Sequence, residues 1–143
     1  MNKRYIIDEE VKFEDVNPTN RPVVSRTDIH GNILYVNSVF ANMCGYKKEE
    51  MLGRPHRIIR HPDMPKKVFE EMWETIKAGK EWHGFVKNLR KDGRYYWVDA
   101  HISPVKKNGK IVGYISVRRA VNDDIKREME RVYAEMRENE RSF

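Results

Sequence analysis

The run from Glu81 to Arg119 leaves this chain little choice of architecture. Three stretches rich in Tyr, Trp, Val and Ile (81–89, 94–105 and 111–119) are separated by Lys91-Asp92-Gly93 and by Lys107-Asn108-Gly109-Lys110. Asn-Gly and Asp-Gly pairs between β-patterned segments make tight hairpins, because these residues accept the positive φ that such turns need. Strands joined by so few residues pair antiparallel, so the three stretches form a meander. Residues 22–28 and 33–37, joined at His30-Gly31-Asn32, read as one further hairpin.

The segment between hairpin and meander has helical character. Ser38 is a candidate cap for a short helix carrying Val39, Phe40 and Met43 and ending at Gly45. Residues 47–51 form another single turn. From Pro65, apolar Val68, Phe69, Met72, Trp73 and Ile76 recur on one face of a longer helix that Gly79 stops. The expected fold is α+β: a five-stranded antiparallel sheet with small helices covering one face.

Residues 1–20 read as a flanking arm closed by Asn17-Pro18-Thr19-Asn20, residues 21–120 as the domain proper, and 121–143 as a terminal helix. In that helix Ile125, Met129, Val132 and Met136 form a narrow stripe at intervals of four, three and four. The stripe favours a coiled coil with a second subunit over folding back on the chain's own domain. A homodimer formed through the arm, the terminal helix or both is therefore expected.

Composition excludes several classes. The 143 residues, 39% apolar and 35% charged, suit one hydrated domain with a modest core. No run approaches the ~18 apolar residues of a spanning helix, and Met1-Asn2-Lys3-Arg4 lacks the apolar stretch of a secretory signal. Cytoplasmic residence without membrane insertion is the expectation. Cys44 is the single cysteine, which rules out an internal disulfide and multi-cysteine metal sites. The formal charge of +6 is spread among 22 acidic residues with no nucleic-acid-binding signature, so nucleic acid is not an expected partner.

Chemistry concentrates in Arg60-His61-Pro62-Asp63-Met64-Pro65 and Trp82-His83-Gly84-Phe85-Val86-Lys87-Asn88. A cation, an imidazole and a carboxylate on a proline-bounded loop, joined by aromatic planes and an amide, suit a flat organic ring with polar edges. An Asn amide both donates and accepts, so Asn88 can pair with such an edge in one orientation. Asn88 shares strand parity with Trp82, which puts both on one sheet face. Trp73 and Trp82 offer stacking surfaces. Trp73 at a helix-core position is equally a plain core residue, and Asn37 is a cap as readily as a pocket residue.

These motifs, with Phe69, Met72-Trp73, Lys91-Asp92-Gly93 and Tyr96-Trp97-Val98, resemble the FAD-binding PAS domains of bacterial aerotaxis and energy-taxis receptors over roughly residues 20–120. The resemblance implies non-covalently bound FAD, redox sensing, and relay to a signalling domain or chemoreceptor protein. It makes Asn88, Trp82, Arg60, His61, Asp63, Trp73, Arg57, Asn37, Phe69 and His56 the candidate cofactor contacts. Arg57, Arg60 and His61 are candidates for neutralising the diphosphate. Asp63 has the wrong charge for phosphate and is expected to orient His61 or Arg60, or to accept from a ribose hydroxyl.

Three rivals stand beside this reading. A haem-binding PAS gas sensor would use His56 or His61 as axial ligand. A cofactor-free PAS dimerisation module would hold only an apolar cavity. A flavin enzyme lacks support, because no nucleophile–base constellation or Gly-rich dinucleotide motif is present. Cysteinyl photochemistry is not expected either, since His56 stands where the reactive thiol of light-sensing relatives would be and Cys44 lies on an earlier helix.

Overall fold

The computed structural model describes residues 5–141. Five strands, β1 (Val23–Thr27), β2 (Ile33–Val36), β3 (Trp82–Leu89), β4 (Tyr95–Lys107) and β5 (Lys110–Arg119), make one sheet in the order β2-β1-β5-β4-β3. Every ladder is antiparallel. Asn108 and Gly109 both take positive φ, 53° and 77°, which produces the tight β4–β5 hairpin that their sequence demands.

The connection between β2 and β3 folds as α2 (Ser38–Cys44), α3 (Lys48–Met51), a 3-10 turn (His56–Ile59) and α4 (Lys66–Lys77). Preceding the sheet is α1 (Phe13–Val16). Phe40, Met43, Cys44, Met51 and Ile76 bury against Ile33, Tyr96 and Val98 of the sheet. The residue that caps α2 is Asn37, not Ser38, which is the first helical residue. The Asn37 Oδ1 accepts from the Phe40 N–H at 3.0 Å and from the Val24 N–H at 3.2 Å, while its Nδ2 donates to the Pro22 carbonyl at 2.7 Å. One amide thus ends a helix and ties it to β1.

The terminal helix α5 (Asp123–Arg141) lies across the opposite sheet face. Tyr133 stacks on Trp97 with centroids 6.2 Å apart at 15°, and its hydroxyl donates to the Phe85 carbonyl at 2.6 Å. Burial pushes that phenol up to about 12. The stripe of Ile125, Met129, Val132 and Met136, expected against a second subunit, packs on the chain's own core. A narrow apolar stripe specifies that it will be covered, not by what; Phe85 and Trp97 on the bare face of β3–β4 supply the cover.

The arm pairs with the start of β4. The Ile7 N–H donates to the Gly93 carbonyl at 2.9 Å and the Val11 N–H to Tyr95 at 2.8 Å. Gly93 has φ +93°, and a Cβ there would fall 2.0 Å from the Tyr5 carbonyl oxygen, so this turn admits the arm only with glycine. Among the described residues, no helix is long and apolar enough to cross a membrane.

Candidate functional site

Between the inner sheet face and α4 lies a cavity of about 740 Å³, within the range of small-molecule and cofactor sites. Trp82, Val86 and Asn88 of β3 form its floor with Val98, Ala100 and Ile102 of β4 and Tyr114, Ser116 and Arg118 of β5. These positions share parity on paired strands, so one face is presented throughout. Phe69, Met72, Trp73 and Ile76 of α4 form the roof.

The Trp82-x-Gly84 motif now has a physical meaning. The indole lies along its own strand over Gly84, where a Cβ would come within 2.3 Å of the ring. Glycine therefore lets the ring lie flat in the cavity wall. Trp73 sits above Gly31 and meets Tyr114 edge-on at 5.7 Å.

The deepest part of the cavity is polar. Arg118 is 3% exposed, and among the described residues no carboxylate pairs with it. Its Nη2 donates to Ser25 Oγ at 2.9 Å and to His56 Nε2 at 2.8 Å, and its guanidinium lies 4.1 Å from the centre of the Phe40 ring. Among the described residues its Nη1 has no hydrogen-bond partner, nor does the hydroxyl of Ser116 beside it. Burial, then the Arg118 charge, hold the His56 imidazole down at about 3, so His56 is neutral and accepts from the guanidinium. Beside this group, Asn88 stands across the β3–β4 ladder from Tyr96, whose buried hydroxyl lies 3.1 Å from Cys44 Sγ.

The mouth is basic. Arg57, Arg60, Lys66 and Lys77 line it together with the single acid Glu70. Arg60 lies 3.9 Å over the Phe69 ring, and its backbone bridges to Asn88. Burial and then neighbouring Arg57 pull the Arg60 pKa down, as expected where cations outnumber acids.

Seven of the ten residues singled out in the sequence line this cavity: Asn88, Trp82, Arg60, Trp73, Arg57, Phe69 and His56. Three do not. Asn37 spends its amide on the α2 cap. His61 turns away from Arg60, buried with its ring edge-on to Tyr95 at 6.1 Å, and its Nδ1 accepts from the Asp63 N–H at 3.0 Å. The Asp63 carboxylate accepts from Lys87 Nζ at 2.9 Å on the α5 side of the sheet. The loop backbone separates the two faces, so a four-residue motif serves two environments. Ser25, Ser116 and Arg118 escaped the sequence reading, and His30 of the β1–β2 turn, exposed to solvent, adds to the cavity rim. The signal was present in β5, where Tyr114, Ser116 and Arg118 share the inward parity.

A five-stranded antiparallel sheet backed by helices around a polar-ended cavity is the architecture of the PAS class of domains. Residues 33–118 match the family model described as PAS fold, more than half of the chain, and the chain belongs to that family. The aerotaxis receptor of Escherichia coli K12 is 45% identical over 102 residues, which are 71% of this chain and 20% of that protein. The nitrogen fixation regulatory protein of Klebsiella oxytoca is 32% identical over 100 residues, 69% of this chain and 20% of the relative. This chain thus spans about a fifth of the length of these curated relatives. A solved light-oxygen-voltage domain, studied with a flavin analogue, superposes with a TM-score of 0.65 at 26% identity, covering 87% of this chain and 90% of that one.

Proposed function

We propose that the cavity binds FAD non-covalently and that the domain relays the cofactor's oxidation state to a signalling partner of the chemoreceptor type. The observation that carries this is Arg118, a buried cation with an unsatisfied Nη1 at the inner end of a cavity whose mouth is basic. Burying an unpaired charge is costly unless something supplies an acceptor. A flavin dinucleotide brings acceptors of both kinds, a ring edge of carbonyl oxygens and a diphosphate. The aerotaxis-receptor and light-oxygen-voltage relatives support the same reading.

Bound flavin supplies the redox chemistry; the chain supplies the response. Asn88 can donate to and accept from a ring edge, Arg118 and Ser116 offer donors, and Trp82, Trp73 and Phe69 exclude water from the faces. Arg57, Arg60, Lys66 and Lys77 stand where phosphates would leave the cavity. The response then has a short route to α5. Lys87, next to Asn88, joins Asp63 and Glu130 at 2.9 Å each. Glu140 of α5 accepts from the Lys66 and Lys67 N–H groups at 3.2 and 3.0 Å, capping the helix that roofs the cavity. Changes in floor or roof therefore bear on α5, the proposed output, whose outer surface is open to a partner protein or a second copy of the chain.

Haem is the weaker reading. The His56 Nε2 is engaged by Arg118, and His61 lies outside the cavity. A thiol adduct finds no support either, because Cys44, the single cysteine, is not among the cavity-lining residues. The test is the visible spectrum of purified protein with mass identification of the released ligand. Flavin bands and an FAD mass are expected. An FMN mass would correct the cofactor, a Soret band would replace it by haem, and protein colourless after incubation with FAD would overturn the proposal.

A further inference from the structure

On the sheet face opposite the cavity, His83 of β3 and His101 of β4 stand directly across the ladder from each other. Their rings stack with centroids 4.3 Å apart at 16°. Asp99, two residues before His101 and on the same face, points its carboxylate between them: Oδ1 contacts His83 Nε2 and lies 3.6 Å from His101 Nε2. One ligand atom from each of the three residues lies within 4.8 Å of the other two. All three remain reachable from solvent, with side-chain exposures of 49%, 55% and 25% for His83, His101 and Asp99.

We infer that His83, Asp99 and His101 form a binding site for a borderline divalent metal ion of the zinc type. Imidazole nitrogens with one carboxylate oxygen are the donor set such ions prefer, and three protein ligands leave a position for water. The donors come from adjacent strands of a sheet that fixes their backbone, so binding requires only side-chain adjustment, which lowers its entropic cost. Phe85 meets the His83 ring edge-on at 5.4 Å and restricts it. The exposed Arg119, opposite Asp99 on β5, is the competing cation.

The site is separate from the cavity. Its ligands alternate along the strands with Trp82, Ala100 and Ile102, which face inward. A metal ion there would hold β3 to β4 from outside, back to back with the cavity floor.

The test is calorimetric titration of Zn²⁺ into the full chain, freed of any histidine tag, near neutral pH. One ion per chain with micromolar affinity is expected. His83→Ala and His101→Ala should each weaken binding by at least about tenfold, and Asp99→Asn by less. His101→Phe, which keeps a stacked ring, should lose zinc while retaining the parent's circular dichroism, separating ligation from folding. Perturbation of the His83 and His101 ring resonances by the ion is the second readout. Absence of saturable uptake by the parent, or equal affinity in the folded His101→Phe variant, would overturn the assignment.

Discussion

Lys87 and Asn88 are consecutive residues of β3 that serve opposite faces of the sheet: Asn88 lines the cavity, while the Lys87 ammonium is clasped by Asp63 and Glu130. Burial pulls the Lys87 pKa down, and the hydrogen bonds it donates to Glu130 and Asp63 more than offset that and leave it raised. Lys87→Met removes the shared cation and leaves two partly exposed carboxylates facing each other. The expected cost is about 1–3 kcal/mol in urea unfolding, with faster amide exchange along α5. Ligand retention should change little, and unchanged exchange in α5 would remove Lys87 from the relay.

Replacing Arg118 by Gln keeps hydrogen-bonding capacity and removes the charge. Reduction of a flavin adds negative charge along its polar edge, so a nearby cation favours the reduced form. Arg118→Gln should weaken FAD retention by about tenfold or more and shift the midpoint potential negative by about 30 mV or more. Redox titration against indicator dyes reads this directly. A variant that loses affinity but keeps its potential would place the cation away from the ring.

Gly84→Ala should be disproportionately harmful for one methyl group. The added carbon falls 2.3 Å from the Trp82 ring, which must leave its bed against the strand. Overpacking of this kind costs about 1–3 kcal/mol, and a displaced indole intrudes on the cavity. Thermal melting and FAD titration should both register the change. A variant indistinguishable from the parent would show that the ring finds a second resting place.

Acid should destabilise the domain earlier than its carboxylates alone require. Burial and Arg118 hold His56 at about 3 against an ordinary 6.5, and burial and then Lys87 lower His61. The unfolded chain therefore binds more protons than the folded one once pH falls below about 6.5. The stability these two histidines confer is full above that value and is lost as pH falls towards their folded values, by at most about 1.4 kcal/mol per unit for each group. Urea midpoints at about pH 7.5 and about pH 5 check the sign. Equal midpoints would falsify it, and His56→Gln should flatten the slope.

Local signals exposed what depends on period and turn chemistry. Asn108-Gly109 dictated a hairpin, and the shared parity of Trp82 and Asn88 put both on the cavity face. What stayed hidden depends on which surfaces meet. The stripe on α5 reads the same whether the chain's own sheet or another subunit covers it. The directions of His61 and Asp63 depend on a loop path that no periodicity encodes. Arg118 looked like one more strand cation, because its burial becomes visible only once α2 and β1 close over it.

The stack of Tyr133 on Trp97 gives the protein an internal optical gauge. The chain has three tryptophans. Trp73 and Trp82 border the cavity, where a coloured ligand would quench their emission, whereas Trp97 sits on the far face beneath α5. Its fluorescence should therefore report the lifting or settling of that helix without any attached dye, in the same sample whose absorbance follows the ligand.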